Sequence, residues 1–266
     1  MPSTFEAGNE NKVHKKVKIL GVGVSSTTEE KLLRDVRSWI EKKKKFYIVT
    51  PNPEIVMVAR ENPDLMSALN QSDIALSDGV GLVWAAKVLY NSDINLIKGR
   101  VVFINLLRLA SKKGWRVYLL GGKGEEAKKA FEVLSHTFKN AQIRYDPGPK
   151  LNIRCEPASQ IDQNIEHTVI SAINTFKPHL LFVAFGAPKQ EVWLKRHLGG
   201  LDIGGGMVVG GAFRYISGIS KLPPQWIENL GVEWLWRLFT EPWRLKRILA
   251  ATVLFPLAIY KEKYVG

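Results

Sequence analysis

Short apolar, β-branched runs recur along the chain at residues 18–24, 46–50, 74–77, 117–120, 143–145, 180–185 and 207–209. Between them lie stretches of helical period over 29–43, 54–69, 81–89, 101–113, 125–138, 159–176 and 190–197. A strand apolar at every position is buried on both faces, as in a parallel sheet covered by helices. Strand and helix alternate seven times, which predicts an α/β fold: a Rossmann-like, mostly parallel sheet with helices on both faces. After Gly218 the pattern changes. Residues 222–260 read as helix, rich in Trp, Arg and Lys, with no strand. The expected organisation is a disordered start (1–14), an α/β domain (15–220) and a C-terminal helical, membrane-associating appendage (221–266).

Open parallel sheets bind ligands beyond the carboxyl ends of their strands, and five of the predicted strand ends are unusual. Thr50-Pro51-Asn52-Pro53-Glu54 puts two small polar side chains in a turn stiffened by two prolines. Taken alone it also reads as a plain helix start, with Asn as cap and Pro and Glu in the first turn. Ser77-Asp78-Gly79-Val80-Gly81 follows an apolar strand with a carboxylate, either a cap or a general base. Leu120-Gly121-Gly122-Lys123-Gly124 offers backbone N–H groups and a helix start, the kind of place that holds phosphate. It is neither a full G-x-G-x-x-G nor a Walker loop. Phe185-Gly186-Ala187-Pro188-Lys189-Gln190-Glu191 turns from strand to helix with three polar residues at once, and Val209-Gly210-Gly211-Ala212-Phe213 again sets glycines directly after a strand. Together the five suggest a long pocket for a phosphate-bearing ligand.

Composition narrows the ligand class. The 266 residues carry 38 Lys and Arg against 25 Asp and Glu, a formal net charge of +13, which draws the chain toward anions: nucleic acid, anionic lipid or phosphorylated substrates. The single cysteine, Cys155, excludes an intrachain disulfide framework and a cysteine-based zinc cluster. Residues 1–14 contain no apolar segment of the signal-peptide kind, so a cytoplasmic location is expected. No run approaches the roughly 18 apolar residues of a membrane span. Residues 248–259 are too short to cross a bilayer yet long enough to lie on one. Trp226, Trp234, Trp236, Phe239, Trp243 and Phe255 interleave with basic residues, a composition that suits a membrane interface or packing on the core.

Taken in order, these strand-end motifs, followed by Glu233-Trp234-Leu235-Trp236-Arg237 and Glu241-Pro242-Trp243-Arg244, resemble the TagA/WecG/CpsF family of bacterial glycosyltransferases over residues 17–250. The resemblance implies an inverting, metal-independent enzyme that takes an N-acetylmannosamine-type sugar from a UDP donor. The acceptor it implies is a polyprenyl-diphosphate-linked N-acetylglucosamine at the cytoplasmic membrane face, in surface-polysaccharide or teichoic acid synthesis. It makes Asp78 the general base and puts Thr50 and Asn52 at the sugar end of the pocket. Gln190 becomes a donor contact, with Arg100 near the site and Gly121, Gly122, Gly186, Gly210 and Gly211 on the donor side. Arg237, Arg244 and Arg247 of the appendage would close over the diphosphate. No cofactor and no metal are expected. The physical reading agrees: an inverting transfer needs a base for the acceptor hydroxyl and positive charge for departing UDP, and arginine suits bidentate phosphate contacts.

Two stretches depart from the family pattern. Phe103 and Asn105 stand where it has Gly and Asp, and Arg214 stands where it has Asp. With two carboxylates gone near the expected donor site, altered sugar or nucleotide recognition is one expectation. A binding-only relative without turnover is the alternative function, and a nucleic-acid-binding α/β protein, motivated by charge alone, is a third reading without any recognition module behind it. The expected partners are therefore the UDP-sugar, the lipid-linked acceptor and the inner face of the membrane, with no nucleic acid; the oligomeric state is left open between monomer and homo-oligomer.

Overall fold

A computed structural model of the protein describes residues 14–229, 233–240 and 245–265. The chain opens with a hairpin, β1 (Lys16–Ile19) and β2 (Val22–Ser25), followed by α1 (Glu29–Glu41) and β3 (Phe46–Val49). Next come α2 (Pro53–Ala59), α3 (Pro63–Gln71), β4 (Ile74–Ala75), α4 (Val80–Tyr90) and α5 (Gly99–Lys113). Then follow β5 (Arg116–Gly121), α6 (Glu126–Thr137), β6 (Gln142–Asp146), α7 (Gln160–Phe176) and β7 (Leu180–Ala184). After them come α8 (Lys189–His197), β8 (Gly205–Val208) and α9 (Ala212–Ile216). The described appendage is helical: α10 (Gln225–Asn229), α11 (Glu233–Thr240), α12 (Leu245–Leu249), a π-helical turn (Ala250–Leu254) and α13 (Phe255–Tyr264).

Six strands form one sheet in the order β4-β3-β8-β7-β5-β6, and every pairing in it is parallel. Side chains along β3, β5 and β7 alternate between two cores. Phe46, Ile48, Val117, Leu119, Leu180 and Phe182 pack beneath α1, α5, α6 and α9. Tyr47, Val49, Tyr118, Leu120, Leu181 and Val183 pack on the other face, against α2, α3, α4, α7 and α8. Successive strand residues point to opposite faces, so double coverage demands an apolar residue at each position.

Two sequence expectations are corrected. The run 18–24 is not one strand of the sheet. It folds back at Leu20-Gly21, both at positive φ (48° and 86°), into an antiparallel two-stranded sheet of its own. The helical stretch 54–69 is two helices. Asn62 accepts a bond from the Leu65 amide and caps a second start, with Pro63 in its first turn, since proline cannot continue the first helix. The expected disordered start falls outside the described residues except for His14, which is buried against Trp39.

The C-terminal helices pack back on the helices that cover the sheet. Ile248, Phe255 and Ile259 are buried, with Phe255 and Ile259 joining the core formed with α2 and α4. Leu249, Val253, Leu254, Leu257 and Tyr260 of the same segment are exposed, as are Trp226 and Phe239. The 248–259 stretch therefore presents an inner and an outer apolar face. Among the described residues no helix is long and apolar enough to cross a membrane.

Candidate functional site

Four of the five unusual strand ends meet. The ends of β3, β4, β7 and β8 and the start of α5 enclose a cavity of about 560 Å³, roofed by α11, α12 and the π-helical turn. Its polar lining includes Thr50, Asn52, Glu54, Asp78, Lys98, Arg100, Gln190, Tyr215 and Arg247. The glycine turns contribute Gly186, Gly210 and Gly211, and Val80, Leu96, Trp234, Ile248 and Ala251 add an apolar portion. That volume lies within the usual range for small-molecule sites.

Local sequence explains how the polar groups converge. The β3 and β4 turns are stitched together because the Asp78 N–H donates to the Pro51 carbonyl at 3.1 Å. Gly79 then takes φ 143°, a backbone state closed to side chains, and starts α4. The buried Ser77 hydroxyl bonds the Asn95 carbonyl, and the Ile97 amide returns to the Ser77 carbonyl at 3.1 Å, which fastens the segment leading to Lys98 and Arg100. Gly99 allows the final approach: a Cβ there would sit 2.7 Å from Thr50 Cγ2 and 3.3 Å from Asp78 Oδ2. Glycine at this one position lets the basic start of α5 reach the acidic turn after β4.

Asn52 does double duty. Its Oδ1 accepts from the Ile55 amide at 2.9 Å and caps α2, while the residue lines the cavity. Gln190 is almost fully buried; its Oε1 accepts from the Gly186 and Gly210 amides and its Nε2 donates to Glu191. Glu191 has no exposed surface, and burial pushes its carboxyl up to about 7. Of the appendage arginines, Arg247 reaches the cavity, where its Nε pairs with Glu54. Arg244 lies outside the described residues, and so does the side chain of Arg237.

Gly121 and Gly122 are not part of this lining. Their glycine requirement comes from backbone conformation and packing: φ is 101° and 89°, a Cβ on Gly121 would stand 2.9 Å from the Ala184 carbonyl carbon, and one on Gly122 would stand 3.1 Å from Glu126 Cβ. The departures from the family pattern also lie away from the lining. Phe103 is fully buried, edge-on to Phe182 with ring centroids 4.6 Å apart. Asn105 bonds Glu29 and accepts from Arg108 on the outer side of α5. Arg214 Nε pairs with Glu126 at 3.0 Å, and Glu126 Oε2 also accepts the Lys123 amide. The missing carboxylates are thus answered by local partners rather than by changes in the cavity wall.

Sequence reasoning missed Gly99, Lys98 and Tyr215 as cavity-forming residues, and it missed the pairing of Glu54 with Arg247. Glu54 closes the Thr50–Glu54 motif, but its partner is far along the chain. Among the described residues, no group of three or more His, Cys, Asp or Glu is placed to hold a metal ion.

Residues 17–266 match the sequence profile of the family described as "Glycosyl transferase WecG/TagA/CpsF family". Proteins of two Staphylococcus aureus strains, NCTC 8325 / PS 47 and COL, are similar to this chain. Each is named N-acetylglucosaminyldiphosphoundecaprenol N-acetyl-beta-D-mannosaminyltransferase, and each is 29% identical to it over 248 residues, 92% of this chain and 91% of the relative. A parallel sheet whose strand ends bring a carboxylate and glycine turns around one cavity, with arginines from α5 and α12, fits that kinship, and the chain is a glycosyltransferase belonging to the WecG/TagA/CpsF family.

Proposed function

We propose that the protein is an inverting, metal-independent transferase. It moves N-acetylmannosamine from a UDP donor to N-acetylglucosamine carried on a polyprenyl diphosphate. The observation that carries this reading is the meeting of Asp78, Thr50, Arg100 and Arg247 around one cavity of ligand size. The relatives' name supports both the sugar and the lipid-linked acceptor.

In this mechanism the acceptor hydroxyl attacks the anomeric carbon from the face opposite UDP. The new glycosidic C–O bond forms as the bond from the anomeric carbon to the bridging phosphate oxygen breaks, and the hydroxyl proton passes to the Asp78 carboxylate. UDP leaves with the bonding pair. Arg100 and Arg247 stand near the departing diphosphate and supply the charge that a metal would otherwise provide. Arg247 would exchange Glu54 for phosphate oxygens as the donor binds. The exposed Leu249, Val253, Leu257, Tyr260, Trp226 and Phe239 support a peripheral position on the inner membrane face, where the lipid-linked acceptor lies.

The binding-only alternative rested on Asn105 and Arg214, and neither lines the cavity. To test the proposal, the purified chain is mixed with UDP-N-acetylmannosamine and undecaprenyl-diphosphate-linked N-acetylglucosamine in EDTA. A lipid-linked disaccharide with inverted anomeric configuration is expected. No disaccharide, with or without added Mg²⁺ or Mn²⁺, would refute the reading, and a requirement for metal would refute its metal-independent part.

A further inference from the structure

The turns after β7 and β8 are held together by one buried side chain. Gln190 Oε1 accepts from the Gly186 amide at 3.2 Å and from the Gly210 amide at 3.1 Å. Of the two polar atoms of the Gln190 amide only the oxygen accepts hydrogen bonds, so these two N–H donors fix which way the amide faces. Its Nε2 is then a donor in a place with almost no solvent: Gln190 is 2% exposed. Glu191 Oε1 accepts that donor at 2.9 Å, and Glu191 is itself completely buried. Its second oxygen, Oε2, has no hydrogen-bond partner among the described residues. A buried carboxylate with one unsatisfied oxygen is costly, and here it sits beside the amide that joins two walls of the cavity.

We infer that Gln190 and Glu191 form a clamp that sets the spacing of the two glycine turns, and that Gln190 acts as a positioning residue rather than as a direct donor contact. The inference deepens the proposed function and rests on it for its kinetic readout. The two turns supply Gly186, Ala187, Gly210 and Gly211 to the cavity. Glu191 orients the Gln190 amide, the amide ties the turns, and the tied turns shape the donor wall. The clamp can be inverted chemically. In Gln190→Glu/Glu191→Gln, a carboxylate at 190 accepts both glycine amides, and the new amide at 191 donates to it. Net charge is unchanged and every bond has a counterpart.

The test compares wild type, Gln190→Leu and the double exchange, each shown to be folded by circular dichroism. Kinetics with UDP-N-acetylmannosamine are read at pH 8 and well below the melting temperatures. Gln190→Leu is expected to raise the donor KM about tenfold or more, and the exchange to bring it back to within about threefold of wild type. An exchange as defective as Gln190→Leu would overturn the inference, since a donor contact through the Gln190 amide would not survive a carboxylate there. A wild-type KM in Gln190→Leu would overturn it equally. If Gln190→Leu does not fold, the exchange alone decides: a folded protein with near-wild-type KM sustains the clamp, and a misfolded or defective one removes it. If wild type itself neither binds nor transfers from this donor, the proposed function fails. The clamp is then judged by melting temperature alone, which the exchange must restore.

Discussion

The turns after β5 and β8 look alike in the sequence, each with two glycines directly following an apolar strand. They do different work. Gly210 and Gly211 face the cavity, whereas Gly121 and Gly122 are pressed against Ala184, Phe185, Glu126 and Ala127. Position in the sheet separates them. β8 lies between β3 and β7, whose ends also open into the cavity, while β5 lies one strand further out, next to β6. A glycine pair after a strand announces close approach of something to the backbone; only the strand order tells whether it is a ligand or the protein itself.

That contrast can be broken at single positions, beginning with the residue that brings the acidic and basic turns together. Gly99→Ala puts a methyl group 2.7 Å from Thr50 Cγ2 and must move the start of α5. The expected result is a fall in kcat/KM of about 100-fold, the scale of a misplacement near 1 Å, read by UDP release from protein that still melts cooperatively. The paired glycines come next. Gly121→Ala combines φ 101° with a 2.9 Å clash on backbone, and is expected to cost about 2–4 kcal/mol in denaturant titrations while the folded fraction keeps its donor KM. Gly211→Ala has φ −81°, and its nearest neighbour is Tyr215 at 3.8 Å. It should melt like wild type yet lose activity, roughly tenfold in kcat/KM, because the methyl group enters the cavity. If both variants lost only stability, the distinction between the turns would be false.

A smaller effect tests the departures from the family. Arg214→Ala leaves Glu126 nearly buried without its cation, with an expected loss of about 1–2 kcal/mol in chemical denaturation and an unchanged donor KM. A large KM change would return Arg214 to the donor site. The smallest effect is on pH. Burial raises the Glu191 carboxyl from 4.5 to about 7, opposed by its bond from Gln190 and by Arg247, with Glu54 adding to the rise. A raised folded-state value favours the protonated form, so the stability linked to this group is full below 4.5 and is lost as pH rises through about 7. Stability should drop by on the order of 1 kcal/mol between pH 6 and 8 more in wild type than in Glu191→Gln. Parallel curves for the two proteins would contradict the assignment.

Much of this architecture was legible locally. Strands apolar at every position announced two-sided burial, and the motifs after β3, β4, β7 and β8 stood out by residue type. The hairpin was hidden because residues 19–24 hold only apolar side chains and glycine, and Gly21, where the chain turns, looks no different from Gly23 within the second strand. The break at Asn62-Pro63 carried a cap and a proline and could have been read. What no local pattern holds are the distant pairings: Glu54 with Arg247, Glu126 with Arg214, and Gln190 with the Gly210 amide. The last two depend on strand order, which is set by crossovers rather than by any motif, and the first on how α12 packs back against α2.

The central claim is that the cavity at these strand ends is the reaction site and that Asp78 takes the acceptor proton. The direct measurement is the rate of UDP release by Asp78→Asn against wild type, with UDP-N-acetylmannosamine and the lipid-linked acceptor both saturating. The account predicts a kcat lower by about 10²–10⁴-fold, with donor affinity and melting temperature close to wild type. A kcat within a few fold of wild type in the folded variant would contradict it.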